Sequence, residues 1–144
     1  MEQIIGVIFP LSKEAIDFMF SNNRDVYIKY TSRQPTKKSK IKIKEGTTLF
    51  IYQSGGSKSV VGEAIIIKFD FLDMDTILNR YHGRLMISEE ELKLYAKSRE
   101  NKKALVLELK ELIRYKNGIK LRKPLTMAGI FLTPEKKQEL FMDE

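Results

Sequence analysis

The chain has no cysteine, which excludes disulfides, thiolate metal sites and a cysteine nucleophile together. Histidine occurs once, at His82, so no histidine-based metal cluster can form. A general base there would need a carboxylate to orient it, and neither Asp75 nor Glu89 is obviously placed to do so. No apolar run approaches the roughly 18 residues of a membrane span. The opening MEQIIGVIFPLSKE puts an acid where a secretory leader carries positive charge, and its apolar run is short. The expectation is a cytoplasmic protein with no cofactor, no metal and no membrane partner.

Acids are also missing locally. Between Lys29 and Lys44 stand Lys29, Arg33, Lys37, Lys38, Lys40, Lys42 and Lys44 without one carboxylate among them. A second basic stretch, Lys93 to Lys123, is diluted by Glu100, Glu108 and Glu111. The net charge of +7 and pI near 9.5 favour polyanionic partners. At 144 residues with 42% hydrophobic content, one domain spanning 1–144 is expected.

QIIGVIFP reads as a buried strand closed by Pro10, and LSKEAIDFMFSNN as a helix capped by Ser12. DVYIKYTSR alternates Val26, Ile28 and Tyr30 against Tyr27, Lys29 and Thr31, the period of a strand. GTTLFIYQ and SVVGEAIIIKF are two further strands. DMDTILNRYHGR predicts a short helix ending near Gly83, and SEEELKLYAKSRE a helix with capping-box spacing between Ser88 and Glu91. KALVLELKELIRY predicts a strand ended by a turn at Lys116–Gly118. MAGIFL is a last strand, and Thr133 with Pro134 opens a terminal helix. About six strands with short flanking helices, without βαβ regularity, give an α+β fold: a curled mixed sheet or small barrel.

Ser54, Gly55, Gly56, Ser57 and Lys58 invite comparison with a phosphate-binding loop. The glycine spacing is wrong and a strand follows instead of a helix, so no helix N-terminus faces a phosphate. The glycines suit a hairpin tip. Such a tip still offers hydroxyls, amides and one charge to a nucleic-acid backbone. Asp70, Asp73 and Asp75 lie between a strand end and a helix start, where capping accounts for them.

GTTLFIYQSGGSKSVVGEAIIIKF resembles the central strand, loop and strand of the PUA-like superfamily, especially its ASCH and EVE branches. With IIGVIFP, VYIKY and KPLTMAGIFLT, nearly the whole chain looks like a small archaeal family within that superfamily. ASCH domains carry Gly-x-Lys-x-x-Glu-x-Arg, matched here by NNRDVYIK. Asn22 stands for the Gly, Arg24 for the Lys, Lys29 for the Arg, and Tyr27 for the Glu, so the acidic position is lost. The resemblance implies binding of RNA or a modified nucleobase in a cleft. Residues expected to serve it are Arg24, Lys29, Arg33, Lys37, Lys38, Lys40 and the Ser54–Lys58 loop for phosphates. Tyr27, Tyr30 or Tyr52 would stack bases. Arg80, His82 and Arg84 could add a second contact.

Two alternatives stand beside nucleic-acid binding. A nucleobase-directed amidohydrolase of the ASCH type would need Lys29, Thr31 and Glu63 to converge in one pocket. Glu63 alone, on an apolar strand, could serve as a base, read a base's exocyclic amine, or face solvent by alternation. A basic protein-interaction module would instead meet an acidic partner.

Overall fold

The structure, a computed structural model, describes residues 5–29, 45–54, 58–86, 88–97, 103–123 and 130–141. Along them run β1 (Gly6–Leu11), α1 (Lys13–Ser21), β2 (Val26–Lys29), β3 (Thr48–Gln53), β4 (Ser59–Leu72), α2 (Met74–Tyr81), α3 (Glu89–Ala96), β5 (Ala104–Lys120), β6 (Ile130–Leu132) and α4 (Pro134–Leu140). The helices begin where capping chemistry places them. Ser12, Asp73, Ser88 and Thr133 each accept, through a side-chain oxygen, the N–H three residues on. That satisfies a donor the first turn leaves without an intrahelical partner. Asp73 is therefore a cap, and Asp70 accepts the N–H of Phe71. Among the described residues no group of three His, Asp or Glu side chains could hold a metal. No helix among them is long and apolar enough to cross a membrane.

The strands form one mixed sheet in the order β2-β5-β4-β3-β1-β6. β1 and β3 run parallel and every other neighbouring pair antiparallel. The sheet curls without closing. Phe9 of β1 and Tyr27 of β2 have three strands between them in the order, yet their rings stack at 5.5 Å with planes 1° apart.

Bulges supply the curl, since an extra residue on one strand bends it and increases its twist. Between Glu63↔Ile113 and Ile65↔Lys110, β5 carries one residue more than β4, and Glu111 there adopts φ +54°. A wider irregularity follows. Val60 pairs with Ile119 and Gly62 with Arg114, so residues 115–118 bow away opposite Val61. The turn expected at Lys116–Gly118 is this bulge, because β5 continues through it to Lys120 alongside β4.

Strand alternation divides the apolar residues between two faces. Val7, Phe9, Leu49, Ile51, Ala64 and Ile66 pack in the larger core with Ile16 and Met19 of α1, Ile77 and Tyr81 of α2 and Leu92 of α3. Ile8, Phe50, Tyr52, Val60 and Leu132 form a smaller cluster under Leu140 of α4. On β2 the alternation is no guide to exposure, since Val26, Tyr27 and Ile28 are all buried. β1 continues one residue past Pro10, to Leu11. Among the described residues it pairs with β6 from Gly6 to Ile8.

Gly62 sits where α1 meets the sheet. A Cβ there would come 2.7 Å from the carbonyl oxygen of Ile113 and 3.0 Å from Phe20 Cζ. Gly62→Ala should therefore destabilise the fold by about 1–3 kcal/mol through overpacking. Urea unfolding should show a lower midpoint at unchanged slope. An unchanged midpoint would mean that the strands part without strain.

Candidate functional site

The side chains singled out in the sequence fall in three places. The first is the interior of the curl. Tyr27 is 2% exposed, with one ring face against Phe9. Tyr52 is 4% exposed in the smaller cluster. Both rings are spent on packing, which corrects the expectation that they stack bases. Lys29 is half-buried, its Nζ 5.8 Å from the centroid of the Phe9 ring, and burial pushes its pKa down. The Arg24 guanidinium lies 5.0 Å over Phe18, and its Nε is buried with no hydrogen-bond partner among the described residues. Tyr30, Thr31, Arg33, Lys37, Lys38, Lys40, Lys42 and Lys44 lie outside the described residues, as do Gly55, Gly56 and Ser57.

The second place is the end of α2. Arg80 and His82 are exposed there. The Arg84 guanidinium is engaged in an internal network, with 42% of its side chain exposed. Nε and Nη2 donate to the two oxygens of Asp25 at 3.0 and 3.2 Å, and Nη2 reaches Glu108 Oε1 at 3.5 Å. The Asp25 carboxylate raises the pKa of Arg84 further. The Tyr81 hydroxyl donates to Glu108 Oε2 at 2.7 Å. Burial, then this hydrogen bond, pushes the Tyr81 phenol up from its ordinary value. This network ties β2, α2 and β5 together.

The third place is a groove of about 970 Å³ on the face that carries α4. Sequence reasoning did not anticipate it. The bulge of β5 builds one wall from Tyr115, Lys116, Asn117, Gly118, Ile119 and Lys120, while Lys137 and Phe141 from the α4 end supply the other. Phe50 lies in the floor, edge-on to Phe141 with ring centroids 5.0 Å apart at 72°. Lys137 Nζ stands over both rings, at 5.4 and 5.6 Å. Such placement lets an ammonium interact with two ring quadrupoles. Arg114 also lines the groove, but its guanidinium bonds Asp17 at 2.6 Å and lies over Phe20 of α1.

Glu63 faces this groove. It pairs across the sheet with Phe50 and Ile113, and its Oε1 accepts the Tyr115 hydroxyl at 2.6 Å. The ring beneath Lys29 belongs to Phe9, which lies with its partner Ile51 in the larger core on the other face. The sheet thus separates Glu63 from Lys29, so these two members of the expected hydrolase set do not meet in one pocket, and Thr31 lies outside the described residues. Lys58 does not line the groove but lies near it in the strand register. Ser59 pairs with Lys120, so Lys58, at the end of the β3–β4 hairpin, adjoins the groove's end. Ser54 sits across that hairpin, its N–H and hydroxyl both donating to the Leu11 carbonyl. The hairpin itself is as expected: β3 and β4 are antiparallel neighbours, and no helix follows the glycines.

A family model described as a domain of unknown function, DUF365, matches residues 4–134. The chain belongs to this family. The DUF365 fold is similar to that of the ASCH protein of Zymomonas mobilis, at TM-score 0.68 and 20% identity, covering 94% of this chain and 92% of that one. Two single-substitution variants of that protein align at TM-scores 0.67 and 0.66, each at 18% identity. They cover 94% and 96% of this chain, and 95% and 96% of their own. No curated protein matches the sequence. The DUF365 chain thus has an ASCH-type, PUA-like α+β fold with an open sheet.

The Tyr81–Glu108 bond gives a direct test of the internal network. A tyrosine whose pKa is higher folded than unfolded stabilises below its ordinary value and loses that contribution as pH rises through the folded value. Tyr81→Phe should lower stability by about 1–2 kcal/mol at pH 7. The gap between variant and wild type should close as pH rises beyond about 10. A gap independent of pH, in thermal melts taken across that range, would assign the effect to packing alone.

Proposed function

We propose that this chain binds nucleic acid, and RNA in particular, along the groove between the β5 bulge and α4. The observation that carries the reading is the placement of Lys116, Lys120 and Lys137 around a groove that Ile113 and the half-buried Phe141 also line. Positive charge that tracks a phosphate backbone beside an apolar, aromatic surface is what single-strand recognition requires. Lys58, next in chain to the partner of Lys120, extends that charge along the hairpin. The ASCH-type fold supports the choice of RNA, through the superfamily resemblance noted in the sequence. In this reading the acid-free run beyond Lys29, with Arg33, Lys37, Lys38 and Lys40, lends further phosphate contacts.

Each phosphate neutralised on a single strand contributes about −0.7 to the slope of log K against log salt. Replacing Lys116, Lys120 and Lys137 together by Gln should make that slope shallower by about 2. Fluorescence anisotropy with matched single-stranded RNA and DNA across a salt series measures it. Lys137 packs on two rings, so the Lys116→Gln/Lys120→Gln pair serves as a second variant, with a smaller change expected. An unchanged slope in both would remove the groove from the interface, and no binding to any oligonucleotide would end the proposal.

A further inference from the structure

Glu63 is chemically out of place in a groove that holds phosphates. It interrupts the apolar run of β4, it is half-buried, and its cross-strand neighbours are Phe50 and Ile113. No described lysine or arginine lies within ion-pair distance of it, although three lysines line the same groove. Packing against these neighbours does not call for a carboxylate, since an apolar side chain would serve there. Glu63 also repels phosphate. What it does offer is acceptor capacity, as its bond from the Tyr115 hydroxyl shows.

That capacity is aimed. The Tyr115 hydroxyl donates to Oε1 and fixes the carboxylate, while Oε2 has no hydrogen-bond partner among the described residues. Directly across the strand stands Ile113, 52% exposed, an apolar surface on which a base plane can lie. A base resting there would present its edge to Glu63. Guanine offers N1–H and N2–H side by side, a pair of donors matched to the two oxygens of a carboxylate. Adenine and cytosine each offer an exocyclic amine. Uracil offers N3–H flanked by two carbonyl oxygens, which the carboxylate repels.

We propose that Glu63, oriented by Tyr115, is the residue that reads base identity in this groove, selecting amine-bearing bases, guanine above the others, and rejecting uracil. The inference rests on the nucleic-acid reading given above and adds to it the class of base selected. Tyr115 acts through Glu63 and is a positioning residue.

The test uses the full chain and single-stranded RNA nonamers of uridine in which the central base is U, C, A or G. Anisotropy should show the G-centred oligomer bound roughly tenfold tighter than the all-U one, with A and C between. Glu63→Gln, which keeps shape but adds a donor, should bring all four within about twofold. Tyr115→Phe should weaken the preference while the charge remains. A Glu63→Gln variant that tightens every oligomer by the same factor would show plain charge repulsion and overturn the proposal. So would a preference that survives both substitutions, or a wild type that binds all four alike, although the second result leaves nucleic-acid binding intact. Failure to bind any of them removes both. Matching circular dichroism spectra for variants and wild type confirm that each comparison concerns folded protein.

Discussion

The pairing of β4 with β5 is the constraint on which the rest of this structure depends. The two strands run beside each other from Ser59↔Lys120 to Leu72↔Ala104, the longest ladder in the sheet. Neither strand stays regular over that length. Each bulge turns the ribbon, so one half wraps the core beneath α1, α2 and α3 while the other projects under α4. Because bulges bend strands while leaving most ladder bonds intact, one ribbon serves as both the core's wall and the groove's wall. The close fit at Gly118, where a Cβ would collide with Ser59 Oγ, shows how tightly the bowed segment lies against its partner strand.

Charge is sorted by the same geometry. Where β5 borders the core, its carboxylate Glu108 is held by Tyr81 and Arg84, with Lys68 Nζ 3.9 Å away. Arg114 turns toward α1, where Asp17 receives it. On the α4 side Lys123 pairs with Glu139, at 3.5 Å between two exposed side chains. Lys116 and Lys120 are exposed on that arm, and Lys137 is held by two rings, with no carboxylate among the described residues within ion-pair distance. Weak surface pairing leaves lysines free to exchange counterions for phosphate.

Much of the architecture was readable from the chain because the signals are local. Capping residues at 12, 73, 88 and 133 mark helix starts, and strand periodicity marks the β4 and β5 runs. The candidate site was much less legible, because what makes it is remote in sequence. Tyr115 and Glu63 are 52 residues apart, and only the register of β4 on β5 brings them together. The residues Lys116, Asn117 and Gly118 have turn chemistry, and turn chemistry does not reveal whether the partner strand continues past it. Tyr27 has the composition of a stacking residue, but Phe9 closes over it from a strand that no local pattern places nearby. The first basic run, the strongest charge signal in the sequence, lies mostly outside the described residues.

An open sheet has exposed backbone at its ends, and β6 is the outermost strand on the β1 side. Such an edge carries backbone groups that a second molecule can extend, and Phe131, 43% exposed, adds an apolar surface to the encounter. Leu132, paired with Gly6, is followed at once by Thr133, which caps α4. A visiting strand laid along β6 would have to stop at that point, because the chain turns its backbone groups into a helix where a longer ladder would need them.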